Sequence, residues 1–222
     1  MTPELTQYIE EHISPQPECL YNIEREANLH LLNGRMCSGK IQGRLLYMLT
    51  HMIRPKRVLE LGTFAGFSTI CIAEALEPGA CIETIEIDDE LEDFILENFR
   101  KSPFADKITL HIGSAESVMK NMDPESFDMI FLDADKRRYC EDFMLALPLL
   151  KEGGYIIADN TLWAGHVVNP DKAKDPQTAG IMAFNDMIAR RDDIENVIIP
   201  IRDGVTLIRK RGKREISPES SK

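Results

Sequence analysis

A chain of 222 residues can bury a sizeable core and lies near the upper end of what a single domain holds, so one domain with additions is expected. Hydrophobic residues at 43% and charged residues at 28% suit a globular enzyme, and no run approaches the roughly 18 consecutive apolar residues of a membrane span. A net charge of −11 repels a phosphate backbone and disfavours nucleic acid as a partner, although Lys136, Arg137 and Arg138 form a local basic patch. A small-molecule substrate is expected instead. Cys19, Cys37, Cys71, Cys81 and Cys140 stand singly with no C-x-x-C pair, which indicates free thiols in place of a disulfide framework or a zinc knuckle. The opening MTPELTQYIEEHIS is acidic and amphipathic, without the basic start or apolar stretch of a leader, so a cytoplasmic protein is expected.

Leu5, Tyr8, Ile9, His12 and Ile13 recur at helical spacing over 3–13, as do Leu20, Ile23, Ala27 and Leu31 over about 17–32. A third helix is expected over about 40–53, ending at Arg54 and Pro55, where proline restricts the residue before it. Residues 1–54 are thus read as N-terminal helices outside the main sheet. Strand-like runs follow at 57–61, 81–87, 108–112, 128–133 and 154–159, separated by helical segments at about 67–76, 89–101, 115–121 and 137–150. That alternation predicts a parallel, doubly wound α/β sheet. The runs IENVIIP at 194–200 and GVTLIRK at 204–210 have only Ile201, Arg202 and Asp203 between them, too few for a crossover helix, so they are expected to form an antiparallel hairpin at the sheet edge. The fold class is therefore α/β: a doubly wound, mostly parallel seven-stranded sheet over 55–211 with an antiparallel C-terminal hairpin. The polar residues 212–222 are expected to form a disordered tail.

RVLEL leads into GTFAGFS, Gly62 to Ser68, a turn expected to open the next helix. Glycines there let the backbone approach a ligand, and open α/β sheets bind ligands beyond the carboxyl ends of their strands. A dinucleotide fingerprint needs G-x-G-x-x-G, whereas Gly62 and Gly66 give only G-x-x-x-G, which disfavours a dehydrogenase. With Glu60 just before the turn, an anionic ligand is disfavoured too. Glu86 ends the second strand, ahead of Ile87, Asp88 and Asp89. Such an acid either accepts hydrogen bonds from both ribose hydroxyls of an adenosine ligand or merely charges the first turn of the next helix.

Here the chain resembles the class I, Rossmann-like S-adenosylmethionine methyltransferases. The resemblance implies that the glycine loop wraps the amino-acid end of S-adenosylmethionine and that Glu86 holds the ribose. It extends the cofactor set to Glu60, Gly62, Thr63, Gly66, Ser68, Ile87, Ala115, Glu116 near the adenine, and Asp133. A carboxylate-rich pocket without a phosphate cradle suits a sulfonium cation.

Asp133 ends the fourth strand and Asp159 the fifth, with Asn160 next. Adjacent strands lie about 4.8 Å apart, so residues at their ends can converge on one ion. Two carboxylates and an amide oxygen suit Mg²⁺, with Mn²⁺ or Ca²⁺ also open, and not zinc. Alternatively, Asp159 and Asn160 are a turn signal and Asp133 a helix cap. Taken together, VLELGTFAGFST, TIEID, MIFLDADK, LLKEGGYIIADNTLWAGHV and IRDGVTLIRKR, spanning about 57–211, resemble a narrower family. It is that of the cation-dependent O-methyltransferases, which includes catechol O-methyltransferase and the plant caffeoyl-coenzyme A enzymes. Upstream, RMCSGKIQGRLL is similar to the family's entry segment, where Met36 and Ser38 line the cofactor. The resemblance implies Asp133, Asp159 and Asn160 as metal ligands, Lys136 as general base, and N-terminal helices that contribute to a homodimer.

The implied reaction is an in-line attack of a phenolate oxygen on the sulfonium methyl group. A phenol, with a pKa of about 10, is a poor nucleophile near neutral pH. Two neighbouring hydroxyls on a divalent ion are acidified, and Lys136 is placed to take the proton. A vicinal dihydroxy aromatic is therefore the expected acceptor. Trp163 either forms a wall for such a substrate or packs in the core; His111 on the third strand either approaches the cofactor or is a structural histidine, the latter being expected; Tyr139 and Asn185 stand in family-like contexts without a specific role. Asp135 is expected to back the ligands or face the substrate. Thr206 stands near the place where the mammalian catechol enzyme carries a substrate-contacting glutamate, a departure from that enzyme's pattern. Two other readings stay open: a catalytically weak S-adenosylmethionine-binding protein with a regulatory or oligomeric role, and a nucleic-acid or protein methyltransferase, against which the absence of an N-P-P-Y motif and the net charge both count.

Overall fold

The structure, a computed structural model, describes residues 2–32 and 34–213; residues 214–222 of the expected tail lie outside the described residues. Three helices come first: α1 (Pro3–His12), α2 (Glu18–His30) and α3 (Gly39–Ile53). Then strands and helices alternate: β1 (Arg57–Leu61), α4 (Phe67–Ala75), β2 (Cys81–Glu86), α5 (Glu92–Lys101), β3 (Ile108–Ile112), α6 (Ala115–Met119), β4 (Phe127–Leu132), α7 (Tyr139–Ala146) and β5 (Leu150–Asp159). The chain continues through α8 (Pro176–Ala189), β6 (Ile194–Ile199) and β7 (Val205–Lys210).

The strands form one seven-stranded sheet in the order β3-β2-β1-β4-β5-β7-β6. Pairings β1 with β4, β2 with β3 and β4 with β5 are parallel, whereas β7 runs antiparallel to both β5 and β6. This is the expected mostly parallel sheet with its terminal hairpin. The order reverses between β1 and β4, the switch point beyond which such sheets hold ligands.

The chain divides into two compact units, one of residues 1–56 and 63–113, the other of 57–62 and the chain from Ser114 onward. In the first, α4 (FSTICIAEA) is apolar nearly all round, and every residue but Glu74 is buried. Glu74 is paired instead with Arg44 of α3. Gly43 brings α3 close to α4, since a Cβ there would meet Cys71 Sγ at 2.8 Å and Phe67 at 3.0 Å. In the second unit, β4 (FDMIFL) is buried at every position but Asp128, the near-continuous apolar run of a parallel strand covered on both faces.

Most element ends shift by a residue or a few from expectation, and the larger departures are at β5, α7 and α8. β5 starts at Leu150, four residues early, because its register against β4 shifts between the Phe127 and Met129 pairs and Gly153 takes φ 77° in the resulting bulge. The helix expected over 137–150 is shorter: a 3₁₀ turn at Lys136–Arg138 precedes it, and α7 ends at Ala146. α8 lies outside the expected elements, yet carries clear signals. Asp175 caps it by accepting the Thr178 N–H at 2.9 Å, Pro176 occupies its first turn, and Thr178, Ile181, Phe184 and Ile188 bury one face. At the end of α3, Arg54 adopts left-handed φ 54° and ψ 51° ahead of Pro55, and its N–H still bonds Thr50 at 2.8 Å.

Candidate functional site

In the second unit, Leu61 pairs with Leu132 and Ala158 with Leu132, so Gly62 and Asp133 follow β1 and β4 directly and Asp159 is the last residue of β5 beside them. The Asp133 N–H extends the ladder to Leu61 C=O at 2.9 Å. Gly62, at φ 95°, permits that closeness: a Cβ would lie 2.0 Å from the Asp133 carbonyl oxygen.

Lys136 follows on the 3₁₀ turn, its Nζ donating to Asp133 Oδ1 at 2.5 Å and to the Tyr139 hydroxyl at 2.8 Å. Tyr139 is fully buried and donates in turn toward the backbone carbonyls of Asp159 at 3.0 Å and Leu132 at 3.2 Å. Burial first, then the charges of Asp133, Asp159 and Asp142, pushes the Tyr139 phenol well above its ordinary range, so it stays protonated and joins Lys136 to β5. Sequence alone singles out Tyr139 without a role for its hydroxyl; its place three residues after Lys136, on the same face of one helical turn, is the available signal.

Asp159 is buried and its Oδ1 accepts the Asn160 N–H at 2.7 Å. Asn160, Trp163 and Ala164 have φ of 58°, 45° and 50°. Left-handed backbone costs about 1–2 kcal/mol per ordinary residue, so this loop needs outside support. It comes from the β6–β7 turn: Thr161 N–H bonds Gly204 C=O at 3.0 Å, and Leu162 and Trp163 N–H bond Asp203 C=O at 2.7 and 3.1 Å. Thr206 is fully buried and donates its hydroxyl to Thr161 Oγ1 at 2.7 Å, so it acts in this support and is closed to a substrate. Trp163 is half-buried. Asp135 is engaged elsewhere: it caps the 3₁₀ turn through the Arg137 N–H at 3.1 Å and takes the Arg137 guanidinium at 2.5–2.9 Å, which holds its carboxyl below the usual range. Among the described residues no three His, Cys, Asp or Glu side chains gather as an ion-binding group.

Glu116, exposed at the start of α6, lies 3.7 Å from Arg138, and Ala115 beside it is half-buried. Glu60 is fully buried on β1. Arg138 also approaches Asp142, whose side chain is 3% exposed, but only to 3.9 Å, and Asp142 Oδ1 has no hydrogen-bond partner among the described residues. Burial, ahead of a partial offset from Arg138, raises the Asp142 carboxyl to about 6. An acid raised on folding is neutral and free of penalty at low pH, and destabilises as pH climbs from about 4 through 6. Asp142→Asn should therefore raise Tm by several degrees at pH 7.5, for a gain of up to about 3 kcal/mol, and leave it unchanged near pH 4. Equal Tm values at both pH values would remove this account.

In the first unit, Glu86, 7% exposed, binds the turn instead of solvent. Its Oε2 accepts the Phe64 N–H at 2.7 Å, and its Oε1 those of Ile87 and Asp88, both at 2.9 Å. Neither expected role included this tie to the glycine turn. Thr63 shares a 2.6 Å hydroxyl bond with Thr84 of β2, and Asn98 of α5 donates to Ala65 C=O at 3.0 Å. A Cβ on Gly66 would sit 2.4 Å from the Phe99 ring. Ser38 and Ser68 are buried, whereas Met36 and Ile87 are 61% and 74% exposed. His111 on β3 is bonded to Glu83 of β2 at 3.0 Å.

A sequence model of the O-methyltransferase family matches residues 10–211. Caffeoyl-CoA O-methyltransferase 1 of Zea mays is 33% identical over 207 residues, covering 88% of this chain and 79% of that protein. A catechol O-methyltransferase of Niastella koreensis is 33% identical over 161 residues, covering 71% and 72%. Among solved structures, the O-methyltransferase TomG of Streptomyces achromogenes, in complex with SAM, superposes with TM-score 0.87 at 28% identity over 96% of this chain and 100% of that one. An O-methyltransferase of Bacillus cereus in complex with SAH gives 0.86 at 26% identity over 94% and 97%.

Proposed function

The chain belongs to the O-methyltransferase family and is an S-adenosylmethionine-dependent O-methyltransferase, and from that premise we propose its acceptor and its chemistry. It moves the methyl group of S-adenosylmethionine to one hydroxyl of a small catechol-like, vicinal dihydroxy aromatic, with the help of a divalent cation. The observation that carries this reading is Lys136 Nζ, bonded to Asp133 just after β4 and to the Tyr139 hydroxyl, which itself reaches the Asp159 carbonyl of β5. Two relatives of similar length, named for caffeoyl-CoA and catechol, support the acceptor class.

Asp133, Asp159 and Asn160 would hold the cation. Their chemistry fits: three hard oxygens without nitrogen or sulfur favour Mg²⁺, with Mn²⁺ or Ca²⁺ as alternatives. When bound, the ion acidifies the paired hydroxyls of the substrate. Lys136, as the free amine, takes the hydroxyl proton at Nζ and becomes the ammonium that pairs with Asp133, with Tyr139 restricting its motion by accepting one of its hydrogens. The phenolate oxygen then displaces the methyl group from sulfur, leaving a neutral thioether.

For the cofactor we propose the residues expected from the sequence: Met36, Ser38, Glu60, Gly62, Thr63, Gly66, Ser68, Glu86, Ile87, Ala115, Glu116 and Asp133. A carboxylate has about four acceptor sites, so Glu86 retains capacity for a ribose hydroxyl after binding its three N–H groups. A homodimer is proposed on the grounds that α1 buries none of its residues and exposes Leu5 and Tyr8. Residues 1–54 are proposed as the cap and cofactor entry segment, and 55–211 as the transfer core. A cytoplasmic location is proposed as well; no helix among the described residues is long and apolar enough to cross a membrane.

The test is methyl transfer from S-adenosylmethionine to caffeate and 3,4-dihydroxybenzoate, with monohydroxy benzoates as controls. Activity on the vicinal diols should fall with EDTA and return with Mg²⁺. Chelator-resistant transfer, or transfer blind to the second hydroxyl, would exclude the proposed chemistry.

A further inference from the structure

α8 touches the proposed ion site without supplying a ligand. Its Asn185 donates from Nδ2 to Thr161 C=O at 2.8 Å, one residue past Asn160, while its Oδ1 is buried with no hydrogen-bond partner among the described residues. A buried acceptor left unpaired is a cost to stability that an apolar side chain of the same shape would not carry. The useful atom of this amide is therefore its N–H, and what that N–H holds is the loop in which Asn160, Trp163 and Ala164 all take left-handed φ. The other supports of the loop are main-chain bonds from Asp203 and Gly204 and the Thr206 hydroxyl. Those arrive from the β6–β7 side; Asn185 arrives from the helix.

The helix itself is pressed against the other half of the site. Gly180, five residues before Asn185, lies so close to the Lys136 turn that a Cβ would fall 2.3 Å from Lys136 C=O and 2.9 Å from Arg137 Cα. The side chain of Asn185 is thus mounted on an element packed against the backbone of Lys136.

We propose that Asn185 is a positioning residue for the divalent cation: by holding Thr161 C=O from α8, it fixes the backbone of Asn160, the amide donor of the ion site. This rests on the reading of Asp133, Asp159 and Asn160 as ligands. Groups that orient metal ligands from behind typically change affinity about 10- to 100-fold when removed. For Asn185→Leu the lost bond and the removed unpaired oxygen offset one another, so the fold should be retained while ion binding weakens.

The experiment is calorimetric titration of the full chain with Mn²⁺ alone, alongside Tm and S-adenosylmethionine affinity, for the wild type, Asn185→Leu and Asp159→Ala. Expected is a Mn²⁺ Kd at least about 10-fold higher for Asn185→Leu, with Tm and cofactor affinity near wild type, and no measurable binding for Asp159→Ala. Wild-type Mn²⁺ affinity in Asn185→Leu, with Asp159→Ala inactive in binding, would overturn the positioning role and leave the ion site standing. Mn²⁺ binding absent from the wild type, or undiminished in Asp159→Ala, would overturn the ion site and the inference together. If Asn185→Leu fails to fold, Asn185→Ala, which removes the same donor and leaves space for water, is read against the same outcomes.

Discussion

Replacing Lys136 by Met should lower kcat for a vicinal diol by about 10²–10⁴-fold, the span general-base groups usually contribute. Cofactor affinity should stay within a few-fold of wild type. Met keeps most of the length of the side chain, so the loss isolates the amine that reaches Asp133 and Tyr139. The substitution also leaves Asp133 without its ammonium partner in a half-buried place, and added Mg²⁺ is expected to restore stability more than rate. Single-turnover methylation with saturating cofactor and Mg²⁺ gives the number. A kcat within threefold of wild type would remove Lys136 from the chemistry and assign the proton to solvent.

Gly62→Ala is expected to cost several kcal/mol, the largest stability effect of any single methyl group named here. Two penalties add: a β-carbon at φ 95°, worth about 1–3 kcal/mol, and overpacking against the Asp133 carbonyl, worth about another 1–3 kcal/mol. The obstruction is backbone, which cannot rotate away as a side chain can. For a chain of this size each kcal/mol moves Tm by about 2–4 °C, so a drop near 10 °C is expected by calorimetry. Gly79 supplies the control. Its φ is 83°, but a Cβ there would meet nothing within 4 Å, so Gly79→Ala should cost only the backbone strain. Similar losses at both positions would mean that the contact with Asp133 contributes nothing.

Much of this is legible in the chain because it depends on local patterns. MIFL announces a strand buried on both faces, and a polar residue directly after it marks a carboxyl edge, which is where the structure puts Asp133. Asp133 and Lys136 are only three residues apart, across the short connection from β4 to the 3₁₀ turn, so their contact is local in sequence. What escapes depends on partners far apart in sequence. Glu86 reads as an end-of-strand acid, and nothing nearby announces its bond to Phe64, 22 residues earlier. The Thr206 hydroxyl is turned inward by Thr161, 45 residues away, so a position aligned with substrate recognition serves the loop instead. Asp135 shows the converse: Arg137, two residues on, is near enough to compete for it, and the attraction of a paired-carboxylate motif hides that ordinary ion pair. α8 is recoverable from Asp175, Pro176 and its apolar spacing, and without that helix neither Asn185 nor Gly180 can be placed beside the site.

The position of β7 bears on how the site is assembled over time. β7 follows β6 in the chain but lies between β5 and β6 in the sheet, and β6 pairs with β7 alone. During synthesis, β1, β4 and β5 can therefore pair while the edge of β5 is still bare and the loop after Asp159 still lacks Asp203, Gly204 and Thr206. β7 covers that edge, and the turn before it together with Thr206 supplies the bonds to the left-handed loop. The strand that covers an otherwise open, aggregation-prone edge is thus the same one whose preceding turn and Thr206 hydroxyl hold the loop after Asp159, so sheet closure and loop conformation are coupled.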